Sequence, residues 1–181
     1  SYDFGNGFTA ATGLQTSSTT SGILTDESKD AYALNAAYTA DNYGVSVTYS
    51  SVENAGLTNE DTYTAFNGYY VPDIENFPSI SVGYEIGDIG GAVDTADEKT
   101  SFFVGLTWDE VGPGSAGIAL GHSNTVEGVD EAYMYEAYYS YPVNDGMTIT
   151  PLIFLKESIE EVGTESMDDT TGVMVKTSFS F

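Results

Sequence analysis

Apolar and polar residues alternate along most of this chain, and no segment shows helical periodicity. The clearest example is Thr171 to Phe181, where Val173, Val175 and Phe179 share one parity and Lys176 takes the other. A period of two residues predicts β-strands with one apolar side. Ten segments show this pattern: 4–14, 32–38, 43–49, 63–71, 80–86, 102–108, 116–120, 132–141, 147–156 and 171–181. The predicted fold class is all-β.

The connections between these segments alternate in length. The short ones are 41–42, 72–77, 109–114 and 142–146, and the longer, more acidic ones are 15–30, 51–62, 87–99, 124–131 and 157–170. Alternate connections of an antiparallel chain lie at opposite ends, so the short turns and the long loops separate. Outer-membrane barrels have this arrangement, and the pattern predicts a transmembrane antiparallel β-barrel of about ten strands over residues 1–181. The pair Asp145-Gly146 predicts a short turn with positive φ.

Other features bear on this prediction. No apolar run approaches the roughly 18 residues that a transmembrane helix needs. A membrane protein without such a run must be a barrel, because only a barrel then satisfies its backbone in lipid. The aromatic carboxy-terminus, Phe181, suits the periplasmic interface of a last strand. A soluble β-sandwich, for example an acidic adhesin, would show the same alternation and is the alternative.

The charge of the chain is strongly negative. It has 28 acidic residues, four lysines and no arginine or cysteine, for a net charge of −24. Nucleic-acid binding is excluded, since no basic patch meets the phosphates. The acidity has two interpretations, which are solubility in a salty medium and attraction of cations to a pore mouth. The missing cysteines exclude disulfides and thiolate metal sites.

Four charged residues lie within strands on the parity opposite the apolar one. A charge at such a position is costly against lipid and tolerated against water. We therefore predict that they line a water-filled lumen: Glu85, Glu136, Lys156 and Lys176. Many other positions of this parity are small, such as Gly83 and Gly117, which suits a wide barrel with flat walls. Ten strands alone would make a narrow barrel, so we expect further strands beyond this chain.

Clusters of acidic residues occupy the long connections. We predict that these attract cations: Asp94, Asp97, Glu98, Glu127, Asp130, Glu131, Glu160, Glu161, Asp168 and Asp169. Such carboxylates suit Ca²⁺ or Mg²⁺, which would bridge to lipopolysaccharide. Solvated loop charge is the competing interpretation, because the spacing of a known calcium loop is absent. No resident cofactor is predicted.

Aromatic and histidine residues give little indication of chemistry. Tyr138 and Phe103 on the lumen parity would form either a stacking track for sugars or structural filling. His122 is the only histidine and shares the parity of Ile118 and Leu120, so we expect it on the outward face near the external rim. No nucleophile–base pair is indicated, and we do not predict an enzyme.

The ordered series of strands and turns resembles a known family. The segments that carry the resemblance are Ala31–Tyr49 (AYALNAAYTADNYGVSVTY), Tyr69–Pro72, Phe77–Tyr84, Met147–Leu155 (MTITPLIFL) and Thr171–Phe181. They are similar to cyanobacterial outer-membrane porins, which are related to the carbohydrate-selective porins and are often described as iron-uptake porins. Each segment is a turn-and-strand pattern of moderate specificity, and the order of the series is the stronger signal.

The resemblance implies a barrel of about sixteen strands in the cell outer membrane, contacts with lipids and lipopolysaccharide, and a homotrimer. It implies passive diffusion of small hydrophilic solutes, carbohydrates and inorganic ions. Family members carry an amino-terminal surface-layer-homology domain, which this sequence lacks, so we expect the carboxy-terminal part of such a barrel. The alternative function is an anchoring barrel at the cell surface without an open pore.

Overall fold

The computed structural model describes residues 1–16, 30–53, 59–90, 97–126, 130–158 and 168–180. These residues form eleven β-strands and no helix, which confirms the all-β prediction. The strands are β1 (Tyr2–Gly5), β2 (Phe8–Thr16), β3 (Asp30–Thr39), β4 (Tyr43–Glu53), β5 (Glu60–Tyr70), β6 (Ser79–Asp88), β7 (Glu98–Val111), β8 (Gly114–Val126), β9 (Met134–Asn144), β10 (Met147–Lys156) and β11 (Thr170–Phe179).

All eleven strands belong to one sheet whose strand order equals the sequence order. Antiparallel registers join β1 to β4 in succession and β8 to β11 in succession. The order begins at β1 and ends at β11, so within the described residues the sheet is not closed on itself. An antiparallel all-β sheet is therefore what the structure shows of the predicted barrel.

The chain divides into two compact units. The first comprises Ser1–Gly68, Gly83–Ser101 and Asn124–Val129, and contains the hairpins of β1 to β4. The second comprises Tyr69–Val82, Phe102–Ser123 and Asp130–Phe181, and contains β9 to β11.

On β3, β4 and β6, burial follows the period-two pattern, with the apolar side as the more exposed one. On β4, Tyr43, Val45, Val47 and Tyr49 are exposed, and the residues between them are buried or half-buried. No hydrophobic residue among those the structure describes is buried. We call the side that carries the exposed apolar residues the apolar face, and the opposite side, rich in Gly, Ala, Ser and Thr, the small-residue face.

This arrangement does not match the soluble sandwich considered above. A β-sandwich packs two sheets face to face and buries apolar side chains between them. The described residues form one sheet and contain no buried hydrophobic residue. Its apolar side chains instead remain exposed, with Val173 of β11 at 74% and Phe4 of β1 at 63%.

The prediction of one continuous strand over residues 4–14 is wrong. The structure breaks it into β1 and β2 at Asn6-Gly7, where Gly5, Asn6 and Gly7 all have positive φ. Asn-Gly is a strong signal for a two-residue hairpin turn, because both residues tolerate positive φ. The small residues around this pair obscured the signal.

The turn prediction at Asp145-Gly146 is half correct. The turn is there, between β9 and β10, but neither residue has positive φ. Instead the Gly146 N–H donates to Oδ1 of Asn144 at 2.9 Å, so a side chain closes the turn. Positive φ occurs at Gly112, in the turn between β7 and β8.

The alternation in connection length is confirmed with one exception. Connections 6–7, 40–42, 112–113 and 145–146 have two or three residues, and the longer ones, 17–29, 54–59, 89–97, 127–133 and 157–169, have six or more. The exception is 71–78, which belongs to the first set and has eight residues. In an antiparallel meander these two sets lie at opposite ends of the strands. We call these the short-turn end and the long-loop end.

Candidate functional site

The small-residue face carries the first two predicted lumen residues. Glu85 of β6 is half-buried, on the same side as Gly83 and Gly87 and opposite the exposed Tyr84 and Ile86. Glu136 of β9 is exposed and stands between Ala119 of β8 and Phe154 of β10, its direct cross-strand partners. Both acids therefore face the side with small residues, where water has access to their carboxylates.

Lys156 and Lys176 are also exposed on this face. Lys156 ends β10 two residues beyond Phe154, the partner of Glu136, which makes it a diagonal neighbour of Glu136. Diagonal cross-strand neighbours lie about 7–8 Å apart between Cα atoms. Lys176 pairs with Thr150, farther along β10 toward the short-turn end. The structure thus brings Lys156 close to Glu136 and keeps Lys176 apart from that pair.

Aromatic rings cover glycines on the small-residue face. The Tyr138 ring lies against its partner Gly117, and the Phe154 ring lies against its partner Gly172. The Phe103 ring lies in the same way against Gly105 on its own strand. The rings of Tyr138 and Phe103 therefore cover glycine backbone, and the small positions do not leave the flat, open wall that the sequence predicted.

Hydroxyl and amide groups on this face form hydrogen bonds between neighbouring strands. Nδ2 of Asn35 donates to Oγ1 of its partner Thr48 at 2.7 Å, and Oγ1 of Thr150 donates to Oγ of Ser140 at 3.2 Å. Such bonds satisfy polar groups within the sheet while the remaining lone pairs face outward. The small-residue face is consequently polar without being strongly charged.

The apolar face of the first unit carries two aromatic rows. At the short-turn end, Tyr38 lies 4.6 Å from Phe8 and 5.9 Å from Tyr43 between ring centroids. At the long-loop end, the rings of Tyr32 and Tyr49 are 6.2 Å apart. The rows are about 20 Å apart along the strand, since six residues at about 3.4 Å each separate them. Aliphatic positions fill the band between the rows: Leu34, Ala36, Val45 and Val47.

The apolar face of the second unit has a concavity of about 530 Å³. Ala137 forms a low point in it, because its cross-strand partners are the bulkier Ile118 and Ile153. The surrounding residues are mostly aliphatic, and Tyr135 lies toward the long-loop end. The exposed face therefore offers a shallow hydrocarbon-lined groove rather than a polar pocket.

The structure describes six of the ten predicted loop acids. Glu98, Asp130, Asp168 and Asp169 are exposed, and Asp97 is half-buried, with its carbonyl accepting the Ile89 N–H at 2.7 Å. Glu131 accepts a hydrogen bond from the hydroxyl of Tyr133, and Oδ1 of Asp169 accepts the Ser158 N–H at 3.1 Å. Asp94, Glu127, Glu160 and Glu161 lie outside the described residues.

Three further acids form hydrogen bonds at the long-loop end. Glu60 accepts the Ser51 hydroxyl, and Asp61 accepts the Gly90 N–H at 3.0 Å. Glu157 accepts the Tyr133 N–H at 3.1 Å and the Tyr135 hydroxyl at 3.3 Å. Each lies at a strand end beside a long connection, and that position is the signal that would have identified them. Carboxylates at this end thus serve as local anchors as well as charge.

His122 is at the centre of the best-defined polar cluster in the second unit. Its strand parity is that of the apolar Ile118, and its side chain is buried on that face. The rings of Phe102 and Tyr133 cover it edge-on, with centroids 4.7 and 5.9 Å away. Glu131 approaches Nε2 at 3.8 Å. We call His122, Glu131, Tyr133, Tyr135 and Glu157 the histidine cluster.

The hydrogen bond from Tyr133 has an electrostatic consequence. The Glu131 carboxylate, as acceptor of the hydroxyl proton, raises the pKa of Tyr133 above the ordinary value of 10.0, and partial burial adds to this. The phenol therefore remains a donor through neutral pH.

Metal ligation has no geometric support in the described ranges. They contain no group of three or more histidine, cysteine, aspartate or glutamate side chains that could hold an ion. The predicted Ca²⁺ or Mg²⁺ binding to loop acids remains a prediction. The described residues form no helix that is long and apolar enough to cross a membrane.

Comparison with known proteins gives no relative for this chain. No protein family, no curated protein and no solved structure matches it.

Proposed function

We propose that this protein is an outer-membrane β-barrel porin, or part of one, through which small hydrophilic solutes and inorganic ions diffuse with a bias toward cations. The observation that carries the proposal is the burial pattern. The apolar side chains are exposed on one face of an antiparallel meander, and no described hydrophobic residue is buried. Such a surface is stable when hydrocarbon covers it, and a wet lumen suits the opposite face.

The aromatic rows add independent support. Tyrosine combines an apolar ring with a polar tip and favours the boundary between hydrocarbon and water. In the second unit, the Tyr135 hydroxyl at the long-loop end meets the Glu157 carboxylate. The apolar face of that unit therefore passes from aliphatic to aromatic to charged, the sequence of environments across a membrane interface. Resemblance of the strand series to cyanobacterial porins points the same way and suggests a homotrimer in contact with lipopolysaccharide.

The cation bias rests on the summed charge. A net charge of −24 creates a negative potential that concentrates cations at any opening of the protein. Glu85 and Glu136 add negative charge to the small-residue face, and Lys156 and Lys176 offset part of it. The mechanism is diffusion through water and involves no chemical step.

A second candidate is an anchoring barrel without an open pore. The observation in its favour is the filling of glycine positions on the small-residue face by the rings of Tyr138 and Phe154. Rings at these positions reduce the free cross-section that a lumen would have.

Planar-bilayer recording of the detergent-purified protein under a KCl gradient separates these functions. We expect discrete current steps and a reversal potential that shows preference for K⁺. Current steps with an anion preference would remove the cation bias and leave the pore. Insertion without current steps would favour the anchor. A protein that stays soluble without detergent and shows no heat-modifiable migration would overturn both.

A further inference from the structure

The concavity on the apolar face of the second unit is centred on Ala137 of β9. The cross-strand partners of Ala137 are Ile118 on one side and Ile153 on the other, and both isoleucines are about half exposed, at 49% and 51%. Ala137 itself is half-buried and carries only a methyl group. Because neighbouring strands are about 4.8 Å apart, the isoleucines form two walls whose backbones are about 10 Å apart, with a low floor between them.

Two tyrosines of β9 keep this floor uncovered. Tyr135 and Tyr139 flank Ala137 on the apolar face. The Tyr135 hydroxyl donates to Oε1 of Glu157 at 3.3 Å, toward the long-loop end, and the Tyr139 hydroxyl donates to the carbonyl of Val111 at 2.8 Å, toward the short-turn end. The two bonds draw the rings away from Ala137 in opposite directions. Two hydrogen bonds therefore hold open a concavity of about 530 Å³.

The lining of the concavity favours a hydrocarbon chain. Most of its side chains are aliphatic, and they come from β7 to β10: Val104, Leu106, Ile118, Leu120, Ile153 and Leu155. Aliphatic side chains offer an occupant no hydrogen bond, so the gain on binding comes from removing apolar surface from water. A flexible chain can follow the floor between the two walls.

A carboxylate lies at the long-loop end of the concavity. Glu157 is half-buried and held in place, because Oε1 accepts the Tyr135 hydroxyl and Oε2 accepts the Tyr133 N–H at 3.1 Å. Its oxygens have further lone pairs that can accept hydrogen bonds. Glu131, the acceptor of the Tyr133 hydroxyl, adds a second negative charge nearby, whereas Lys156 belongs to the small-residue face. This end of the concavity therefore attracts an ammonium group and repels an anionic one.

We propose that this concavity binds one phospholipid with an amine head group, its acyl chain over Ala137 and its ammonium beside Glu157. The proposal rests on the contact with lipid that the proposed function assigns to the apolar face, but it does not require an open pore. The competing occupants are an anionic lipid and a second copy of this chain.

Native mass spectrometry of the protein in a maltoside detergent counts the lipid molecules that it retains. The probes are phosphatidylethanolamine, which carries the amine, and phosphatidylglycerol with the same acyl chains, which is anionic. We expect one phosphatidylethanolamine to be retained at about fivefold lower lipid concentration than phosphatidylglycerol, an effect of the size of one partly exposed ion pair. Equal retention of the two lipids, or stronger retention of phosphatidylglycerol, would overturn the proposal.

Two phenylalanine variants test the position of the acyl chain. Ala137→Phe fills the concavity and should weaken retention more than about tenfold, because the ring displaces several methylene groups of the chain. Ala36→Phe is the matched control. Ala36 is exposed on the apolar face of β3, where its cross-strand partners are Ala10 and Val47, and the variant should retain the lipid as the wild type does. Equal retention by the two variants would overturn the site.

A charge variant tests the head group without filling the concavity. Glu157→Gln still accepts a hydrogen bond through its amide oxygen but has no charge, so the preference for phosphatidylethanolamine should disappear. An unchanged preference would contradict the role of Glu157, even if Ala137→Phe failed to fold.

Two further readouts separate this site from its alternatives. If Ala137→Phe lowers the oligomeric mass and keeps the lipid, a second copy occupies the concavity and the proposal is wrong. Planar-bilayer recording of the same samples separates the site from the pore. Current steps without selective lipid retention would remove the site alone, and selective retention without current steps would support the site and remove the pore alone.

Discussion

The ring of Tyr138 on β9 occupies the space that a side chain at Gly117 on β8 would need, and the two residues are direct cross-strand partners. Phe154 on β10 and Gly172 on β11 repeat the relationship two strands farther along the sheet. An aromatic side chain thus covers the backbone that a glycine leaves bare. These glycines are packing positions, so replacing them should lower the free energy of unfolding.

Three glycine-to-alanine variants should form a graded series in stability. At Gly121 a new Cβ meets the backbone carbonyl of Phe102, which cannot move aside, and we expect a loss of about 3 kcal/mol. At Gly117 it meets the Tyr138 ring, which can rotate, and we expect a loss of about 1 kcal/mol. Urea unfolding of the refolded protein measures both.

Gly13 provides the matched control for this series. It lies in β2 with no atom within 4 Å of the position of a Cβ. Gly13→Ala should be neutral or stabilise by about 0.5 kcal/mol, since alanine restricts the unfolded chain. Equal effects at positions 13 and 117 would show that the Tyr138 ring does not fill its site.

Adjacent lysine substitutions in β4 should distinguish the two faces. Val47 lies in the aliphatic band of the apolar face, and Ser46 lies beside it on the small-residue face. If lipid covers the apolar face, Val47→Lys should cost about 2–4 kcal/mol of folding free energy in vesicles and Ser46→Lys much less. Folding titrations into lipid vesicles measure the difference.

The same pair of variants can also contradict lipid contact. Val47 is already 39% exposed, so against water a lysine at this position would cost almost nothing. Similar folding free energies for Val47→Lys and Ser46→Lys would therefore exclude lipid contact at β4.

Charge removal on the small-residue face should change ion selectivity in opposite directions. Glu136→Gln should lower the K⁺ to Cl⁻ permeability ratio by up to about sevenfold, because a unit charge about 7 Å away attracts K⁺ and repels Cl⁻ by about 0.6 kcal/mol each in water. Lys176→Gln should raise the ratio for the same reason. Reversal potentials in planar bilayers measure both. Shifts of the same sign in the two variants would contradict a lumen lined by this face.

The hydrogen bond from the Tyr133 hydroxyl to Glu131 should be lost in strong alkali. Since the bond raises the folded-state pKa of Tyr133 above 10.0, its stabilisation is complete below pH 10.0 and is lost as the pH rises through the folded-state value. The difference in tyrosinate absorbance between the wild type and Tyr133→Phe isolates this phenol. In the Glu131→Gln background its pKa should move back toward 10.0. An unchanged titration in that background would show that Glu131 is not the cause.

Much of the fold was predictable because one face is consistently apolar. In β3, β4 and β10 the parity of the side chains determines the strand and its orientation, and no competing helical pattern exists. The segregation of short and long connections was predictable for the same reason. Turn geometry was less so, because Asn6-Gly7 and Asp145-Gly146 look alike in sequence and only the first adopts positive φ.

The sequence predicted which charged residues belong to the candidate site, but it did not predict the contacts between them. Strand parity indicated the faces of Glu85 and Glu136, since parity depends on local spacing alone. The burial of His122 was missed, because the residues that cover it, Phe102 and Tyr133, come from two other segments. The bonds of Glu157 to Tyr133 and Tyr135 were missed for the same reason, since they span more than twenty residues.

The order of the strands has a kinetic consequence. Every strand pairs with its neighbour in sequence, so each pairing closes only the single connection between them. The entropy of loop closure grows slowly with length, and a short connection such as 112–113 makes it small. A chain with such local pairings reaches its native contacts quickly. The sheet can therefore assemble one hairpin at a time, each finished edge serving as the template on which the next strand is laid.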